Sequence, residues 1–466
     1  MKILLVVCCV ANENKMKKTL ALFLVLLCTI SAFAQEGTLI KGKIINAAFE
    51  EIKLFKTVDG NMKSIATAQP SSDGSYGFWV VPEKAGFYAL GNERMNFIIY
   101  LKGGEEVNVD LEKTKAVLNG KNSKENKTLY LWNDYAENIR LKSVCFLYRH
   151  SNYKDFFPDF EKFLSGLPAL KKKLRSGNAE FDQKLQNLIE SETDYFAVTF
   201  LMTPRTVHPK KSDWPAFYSN IISKDKFTTD EVLEYPHGVR MLYVYTSFGM
   251  MNSDARPKGS EITEHALSLL HTPRLKGEYL MNSRFRNCRS YDQYLAAMKD
   301  YGQYLVTPSL KERAEAVGTK LYETRSGAQA ADFTYPDVDG KEVSLSDFKG
   351  KVVLVDVWAT WCGPCKREIP HLIQLEKEMK GRDLVVLGVS VDEAKNKQKW
   401  LDFIKEKGLG GVQVLADGWS KITKDYKITG IPRFMVFDKK GNVVSVDAPR
   451  PSDPALRKLL EEELKK

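Results

Sequence analysis

Hydrophobic and polar positions divide the chain into three textures. Between about Thr38 and Leu111 apolar residues alternate with polar ones in short runs, "TLIKGKII", "EIKLFKTV", "SYGFWVV", "MNFIIYL" and "EEVNVDL", broken by Asp59-Gly60, Asp73-Gly74 and Gly103-Gly104. A period of two interrupted by tight-turn dipeptides predicts hairpins, and hence a small antiparallel sandwich or barrel. From about Ser123 to Arg325 the period becomes helical, as in "KTLYLWNDYAENIRLKSVCFLYR" and "FDQKLQNLIESETDYFAVTFLM", punctuated by Pro204, Pro209, Pro215, Pro236 and Pro273. From Gly327 onward strands such as "VVLVDVWA", "DLVVLGVSV", "GVQVLAD", "RFMVFD" and "NVVSVD" alternate with helical stretches after Cys362, around Lys397 to Lys407 and at Asp453 to Leu464. Alternation of that kind predicts an α/β sheet with both faces covered. The expected organisation is a leader at 1–34, a small antiparallel β domain at 35–120, a helical region at 121–326 and an α/β domain at 327–466.

The composition of this 466-residue chain, 43% hydrophobic and 27% charged, describes a globular protein of about two to four domains. Its net charge is +10, and Lys2, Lys15, Lys17 and Lys18 against Glu13 put +3 of that in residues 1–34, leaving about +7 on the rest. So mild an excess on a long chain argues against nucleic acid as a partner, and Lys-rich tracts such as "KTKAVLNGKNSKENK" read as solvated surface.

The N-terminus reads as an address. Met16, Lys17 and Lys18 precede the apolar run Leu20 to Ile30 and then Ala32-Phe33-Ala34, the small-x-small pattern of a secretory signal cleaved before Gln35. That run and the earlier Ile3 to Val10 both fall short of the roughly 18 residues a membrane span needs. Leu27 before Cys28 argues against a lipid anchor there. The expected destination is therefore outside the cytoplasm. Cys8, Cys9 and Cys28 leave with the leader, so the mature chain keeps Cys145, Cys288, Cys362 and Cys365 where disulfides persist. Cys145 and Cys288 are compatible with a pair or with two separately buried thiols, since sequence does not supply their distance.

Candidate chemistry is concentrated after "VVLVDVWA". The turn Trp361-Cys362-Gly363-Pro364-Cys365 runs into "CKREIPHLIQLEKEMK", which has helical spacing, so Cys362 is expected at a helix N-terminus. Free amides and the positive dipole end favour a thiolate there, and in such sites the thiol pKa drops from about 8.5 to between roughly 3.5 and 7.5. Cys362 is thus the expected nucleophile, and Cys365, one turn on, the resolving thiol. Pro364 is tolerated in a first turn, where the amide it removes has no helical partner. Asp356 sits among apolar neighbours on the strand, where an unpaired carboxylate is costly and its pKa rises. Protonated near neutral pH, it is suited to exchange a proton with Cys365; the alternative is a partly solvated edge aspartate. Ile431-Pro432 in "ITGIPRFMVF" opens a strand and is a candidate docking ledge beside the dithiol.

These residues resemble the thioredoxin superfamily, and "ADFTYPDVDGKEVSLSDFKGKVVLVDVWATWC", Glu368 and Pro370 in "CKREIP", and "GVSVDEAKNKQKWLDFIKEKG" are similar to its exported TlpA/ResA-like branch. The likeness covers about residues 328–466. It implies a thioredoxin-like C-terminal fold, a cis bond before Pro432, a proton-transfer role for Asp356 and an active-site carboxylate at Glu368, which otherwise reads as a solvated first-turn acid. It also allows cytochrome maturation as an outlet, although the chain has no haem-binding motif. The β module followed by a helical region resembles, loosely, the upstream part of many Bacteroidetes proteins of this kind.

Related chemistries fit less well. A peroxiredoxin would carry Pro and Thr seven and three residues before its reactive cysteine, where this chain has Val355 and Ala359. No second CxxC exists to complete a zinc site, and His371 reads as a helix surface residue, so neither metal nor cofactor is expected. Trp361 is expected to line the substrate surface together with Gly363, Pro364, Ile431 and Pro432. The leading expectation is a periplasmic thiol-disulfide oxidoreductase that reduces disulfides of exported proteins and is recharged by a membrane electron donor. The alternative is an envelope binding or adaptor protein on a redox-passive scaffold, motivated by the long stretch upstream that shows no chemistry.

Overall fold

The computed structural model describes residues 37–46, 49–253 and 257–466. The leader expected at 1–34 lies outside the described residues. Contacts group the chain into two units, Met1–Leu275 and Lys276–Lys466.

In the first unit the expected turn dipeptides do turn the chain: Asp59 and Gly60 have φ of 49° and 72°, the left-handed pair that a tight hairpin requires. Eight strands follow, β1 (Thr38–Lys43), β2 (Ile52–Val58), β3 (Asn61–Ala68), β4 (Ser75–Val80), β5 (Gly86–Gly91), β6 (Asn96–Leu101), β7 (Glu106–Leu111) and β8 (Ala116–Leu118). They form two four-stranded sheets, β4-β1-β7-β8 and β3-β2-β5-β6, and the first is mixed, not wholly antiparallel as expected, because β1 pairs with β7 in parallel. Alternate residues of both sheets, among them Ile40, Leu54, Leu90, Ile99 and Val109, fill one core. The pattern hid β3 because most of its residues are wholly or partly exposed, and β5 because five of its six are buried, so neither alternates cleanly.

Helix Lys124–Ser143 starts at the Ser123 cap and sends Leu141 into the sandwich core. Its Asn126 side chain accepts from Tyr100 N (2.8 Å) and donates to Tyr100 O (2.7 Å), pairing with strand β6 as another strand would. Helices Tyr153–Lys173 and Ala179–Met202, capped by Asn152 and Asn178, pack aromatic faces together, with the rings of Phe156 and Phe200 parallel at 3.8 Å. Helix Gly238–Asn252 packs against Ala179–Met202.

The second unit carries the helices Tyr291–Tyr301 and Pro308–Tyr322, the short hairpin of β9 (Thr334–Pro336) and β10 (Glu342–Ser344), and a five-stranded sheet. The sheet strands are β11 (Val352–Trp358), β12 (Leu384–Ser390), β13 (Val412–Leu415), β14 (Arg433–Phe437) and β15 (Val443–Ser445), in the order β13-β12-β11-β14-β15. Strand β11 runs parallel to β12 and antiparallel to β14. All seven residues of β11 are buried, as expected of a strand covered on both faces. Val352 and Leu354 meet Leu372 and Leu375 of helix Gly363–Glu378 and Leu456 and Leu460 of helix Pro454–Leu464. Val353, Val355 and Val357 meet Trp400, Ile422 and Tyr426 on the opposite face. The architecture is the one expected: a β-rich N-terminal part, a helical middle and a C-terminal thioredoxin-like α/β fold.

Candidate active site

The alternation of β11 decides where its aspartate points. Asp356 shares the face of Val352 and Leu354, which helix Gly363–Glu378 covers, and it is only 7% exposed. Its Oδ1 has no hydrogen-bond partner. Burial first, and the charge of Glu368 second, push its carboxyl up to about 8.

Beyond β11 the chain must turn sharply to start the helix, and a buried aspartate holds that turn. Asp392, just past β12, accepts from Thr360 N at 2.8 Å, Thr360 Oγ1 at 2.7 Å and Ser390 Oγ at 2.7 Å. The dithiol loop is thereby fastened to the end of the neighbouring strand. Nothing in the sequence reading singled out Asp392; its position at the end of "LGVSVD", beside the loop that leaves β11, is the signal that would have found it.

Cys362 is the N-cap of helix Gly363–Glu378, as the spacing predicted. Its Sγ accepts the Cys365 N–H at 3.1 Å, one of the helix's unpaired first-turn amides. Cys362 and Cys365 form a disulfide with a Cα–Cα distance of 5.3 Å. Both are nearly enclosed, at 4% and 3% exposure, while the adjoining Trp361 is 55% exposed and Gly363 and Pro364 are exposed as well. Pro364 sits in the first turn. Cys145 and Cys288 are free thiols, each raised in pKa by burial.

Glu368 is not the solvated acid that the alternative reading allowed. It is 7% exposed, and Ser452 holds both its oxygens, donating from N to Oε2 and from Oγ to Oε1 at 3.1 Å each. Arg450 Nη1 stands 3.9 Å from Oε1. The Ile431-Pro432 bond is cis. Pro432 lies one step beyond the Val357–Arg433 pair of β11 and β14, at the sheet end where β11 runs into the dithiol loop. His371 is exposed.

Arg433 was not anticipated. It is 1% exposed, donates to Val446 O at 3.0 Å, and has Asp447 Oδ1 at 3.6 Å. Asp447 in turn accepts from Gln293 Nε2 at 2.7 Å and lies 3.6 Å from Arg289 Nη1, so this buried charge ties the thioredoxin-like sheet to the helical segment before it.

Comparison with known proteins finds relatives of the C-terminal part of the chain. The AhpC/TSA family model matches residues 326–446. Thiol-disulfide oxidoreductase ResA of Bacillus thuringiensis subsp. konkukian is 32% identical over 126 residues, covering 27% of this chain and 71% of that protein. The thioredoxin-like protein YneN of Bacillus subtilis is 33% identical over 137 residues, 28% of this chain and 79% of that one. Among solved structures, the thioredoxin domain of a thiol-disulfide oxidoreductase from Bacteroides vulgatus is 31% identical, covering 29% of this chain and 96% of its own, with a TM-score of 0.26.

Proposed function

This chain belongs to the TlpA/ResA-like branch of the thioredoxin superfamily, a family of thiol-disulfide oxidoreductases, and we propose that it is exported by way of residues 1–34 to reduce disulfides of other exported proteins in the cell envelope. The observation that carries the reading is the Cys362–Cys365 pair at a helix N-terminus, joined to a strand whose buried Asp356 has an unpartnered carboxyl oxygen.

In the reduced protein the Cys362 thiolate attacks a client disulfide. One client sulfur leaves as thiolate, and a mixed disulfide forms between Cys362 and the other. Cys365, its proton taken up by the Asp356 carboxylate, attacks Cys362 Sγ; the second client sulfur leaves and the Cys362–Cys365 disulfide closes. Two electrons have passed from the dithiol to the client, and the oxidised pair matches the disulfide described above. A membrane electron donor then restores the dithiol. Trp361, Gly363 and Pro364, exposed around the enclosed sulfurs, and the half-buried Ile431 form the surface for the client, whereas Pro432, expected on that ledge, is itself buried. Glu368 acts on the proton through its charge beside Asp356. Val355 and Ala359, where a peroxiredoxin would need Pro and Thr, speak against peroxide reduction.

The deciding experiment pairs two variants. Cys362→Ser abolishes reduction of a protein disulfide, and Cys365→Ser accumulates a mixed disulfide visible as a reducible gel shift. Full turnover in either variant excludes this mechanism.

A further inference from the structure

The unit that contains no dithiol contains a cavity of about 370 Å³. It opens where β6 and the helices Lys124–Ser143, Ala179–Met202 and Gly238–Asn252 come together, and Trp132, Arg140, Glu192, Tyr195, His237 and Arg240 line it. Its volume falls within the roughly 300–1,000 Å³ of small-molecule sites.

Charge inside the cavity is unevenly paired. Of its carboxylates, Glu93 pairs with Lys53 at 2.7 Å, and Asp134 and Glu137 with Lys115 at 2.5 and 3.9 Å. Of the guanidiniums lining it, those of Arg140 and Arg240 have no carboxylate partner among the described residues. Arg140 donates to Thr114 O at 2.9 Å, reaches Met95 Sδ and Cys145 Sγ at 3.4 and 3.6 Å, and lies over the Phe97 ring. Arg240, exposed at the mouth, donates from Nε to Tyr195 OH at 2.8 Å.

The groups between them supply only a partial counter-charge at neutral pH. His237 contacts Asn96 Oδ1 at 3.1 Å, and burial, followed by the charges of Arg240 and Arg140, lowers its pKa to about 4. Glu192, 7% exposed, accepts the Trp132 indole N–H at 2.5 Å through Oε2 and leaves Oε1 without a partner; burial raises its carboxyl to about 7. Cation forks left unpaired beside a half-protonated acid attract a planar anion, which a guanidinium grips through paired N–H groups. The rest of the wall is aromatic, with Phe97, Trp132 and Phe196.

We propose that this cavity binds a small organic carboxylate with an apolar body, its anionic head taken by Arg140 and Arg240 and its body laid against Phe97, Trp132 and Phe196. The proposal is independent of the dithiol chemistry and gives the upstream unit a function of its own.

The test titrates the full chain with phenylacetate, following tryptophan fluorescence and the melting temperature, with phenylacetamide and inorganic phosphate as comparison probes. The expected result is saturable phenylacetate binding with a Kd below about 1 mM, at least tenfold tighter than either comparison probe. Arg240→Gln, at an exposed position, weakens phenylacetate binding about tenfold or more while disulfide reduction stays at the parent rate. Arg140→Lys, which keeps the charge and loses the fork, weakens it as well and serves as the second variant. Absence of saturable binding, equal binding of the amide or of phosphate, or parent-like affinity in both folded variants overturns the proposal.

Discussion

Glu368 and Asp356 are two buried carboxyl groups in different surroundings: Ser452 donates to both oxygens of Glu368 and Arg450 stands 3.9 Å away, whereas Asp356 Oδ1 has no donor. Burial therefore acts on Asp356 unopposed, and the charge of Glu368 acts in the same direction, which is why its carboxyl reaches about 8. A group poised there exchanges protons close to neutral pH.

Asp356 makes the fold sensitive to pH in a defined direction. Its carboxyl titrates at 3.8 in the unfolded chain and about 8 in the folded one. Between those values the native state holds a proton that the unfolded chain has released. Stability from this group is thus fully present below about pH 4 and is lost as pH rises through about 8. Asp356→Asn removes the slope: equal to the parent at pH 4, it is more stable at pH 8 by on the order of 3–5 kcal/mol. Melting of the oxidised protein across pH 4–9 reads this directly, and parallel parent and variant curves would sink it.

The same substitution has a kinetic cost. If the Asp356 carboxylate accepts the Cys365 proton as proposed, release of the client from Cys362 slows by about 100-fold or more without it, since a positioned general base contributes at least that much. Stopped-flow decay of a preformed mixed disulfide isolates this step from the first attack, which keeps its parent rate.

Glu368→Gln separates charge from burial. Removing the negative charge removes the second cause of the raised Asp356 carboxyl and leaves the first, so the pH midpoint of the resolving step moves down while staying above that of an ordinary aspartate. The glutamine still accepts from Ser452, so melting changes by less than about 1 kcal/mol. A pH-rate profile with an unmoved midpoint would show that Glu368 does not act on the proton.

What could be read beforehand followed the range of each interaction along the chain. Cys362, Cys365 and the helix they open lie within a few residues, and the burial of Asp356 follows from its neighbours on a strand of two-sided apolar character. Asp392 grips Thr360 from 32 residues away and Ser452 holds Glu368 from 84, so neither partnership has a local signature. The cavity is less legible still. Arg140, Glu192 and Arg240 come from three helices, each reading singly as a polar residue on an amphipathic face, and only packing leaves the two guanidiniums without a carboxylate. The helical texture before Gly327 likewise did not show that residues from Lys276 onward pack with the thioredoxin-like sheet.

Asp392 offers a test of how firmly the dithiol loop is fastened. Asp392→Ala strands the Thr360 N–H and two hydroxyls in a buried place, at a cost of about 2–4 kcal/mol. Amide exchange at Thr360 accelerates relative to strand β12, and both a lowered melting temperature and slower client reduction follow. Exchange at Thr360 as slow as in the parent would show that the loop is held by something else.

Arg433 and Asp447 set the boundary of the redox fragment. Arg433 is almost fully enclosed, and Asp447 is its one nearby carboxylate among the described residues while also receiving Gln293 and Arg289 from the preceding helical segment. Removing one member of a buried pair leaves an uncompensated charge, so Asp447→Ala destabilises by about 3–5 kcal/mol, whereas replacing Arg433 and Asp447 together by Met and Leu costs far less or nothing. Cutting the chain at residue 328 deletes Gln293 and Arg289 and uncovers the same pair; cutting at 276 keeps them. A fragment of residues 276–466 therefore melts higher than one of 328–466, although both contain Cys362 and Cys365 and both reduce a small disulfide. Equal melting temperatures would mean that the helices from Tyr291 to Tyr322 do not support the sheet through Arg433 and Asp447.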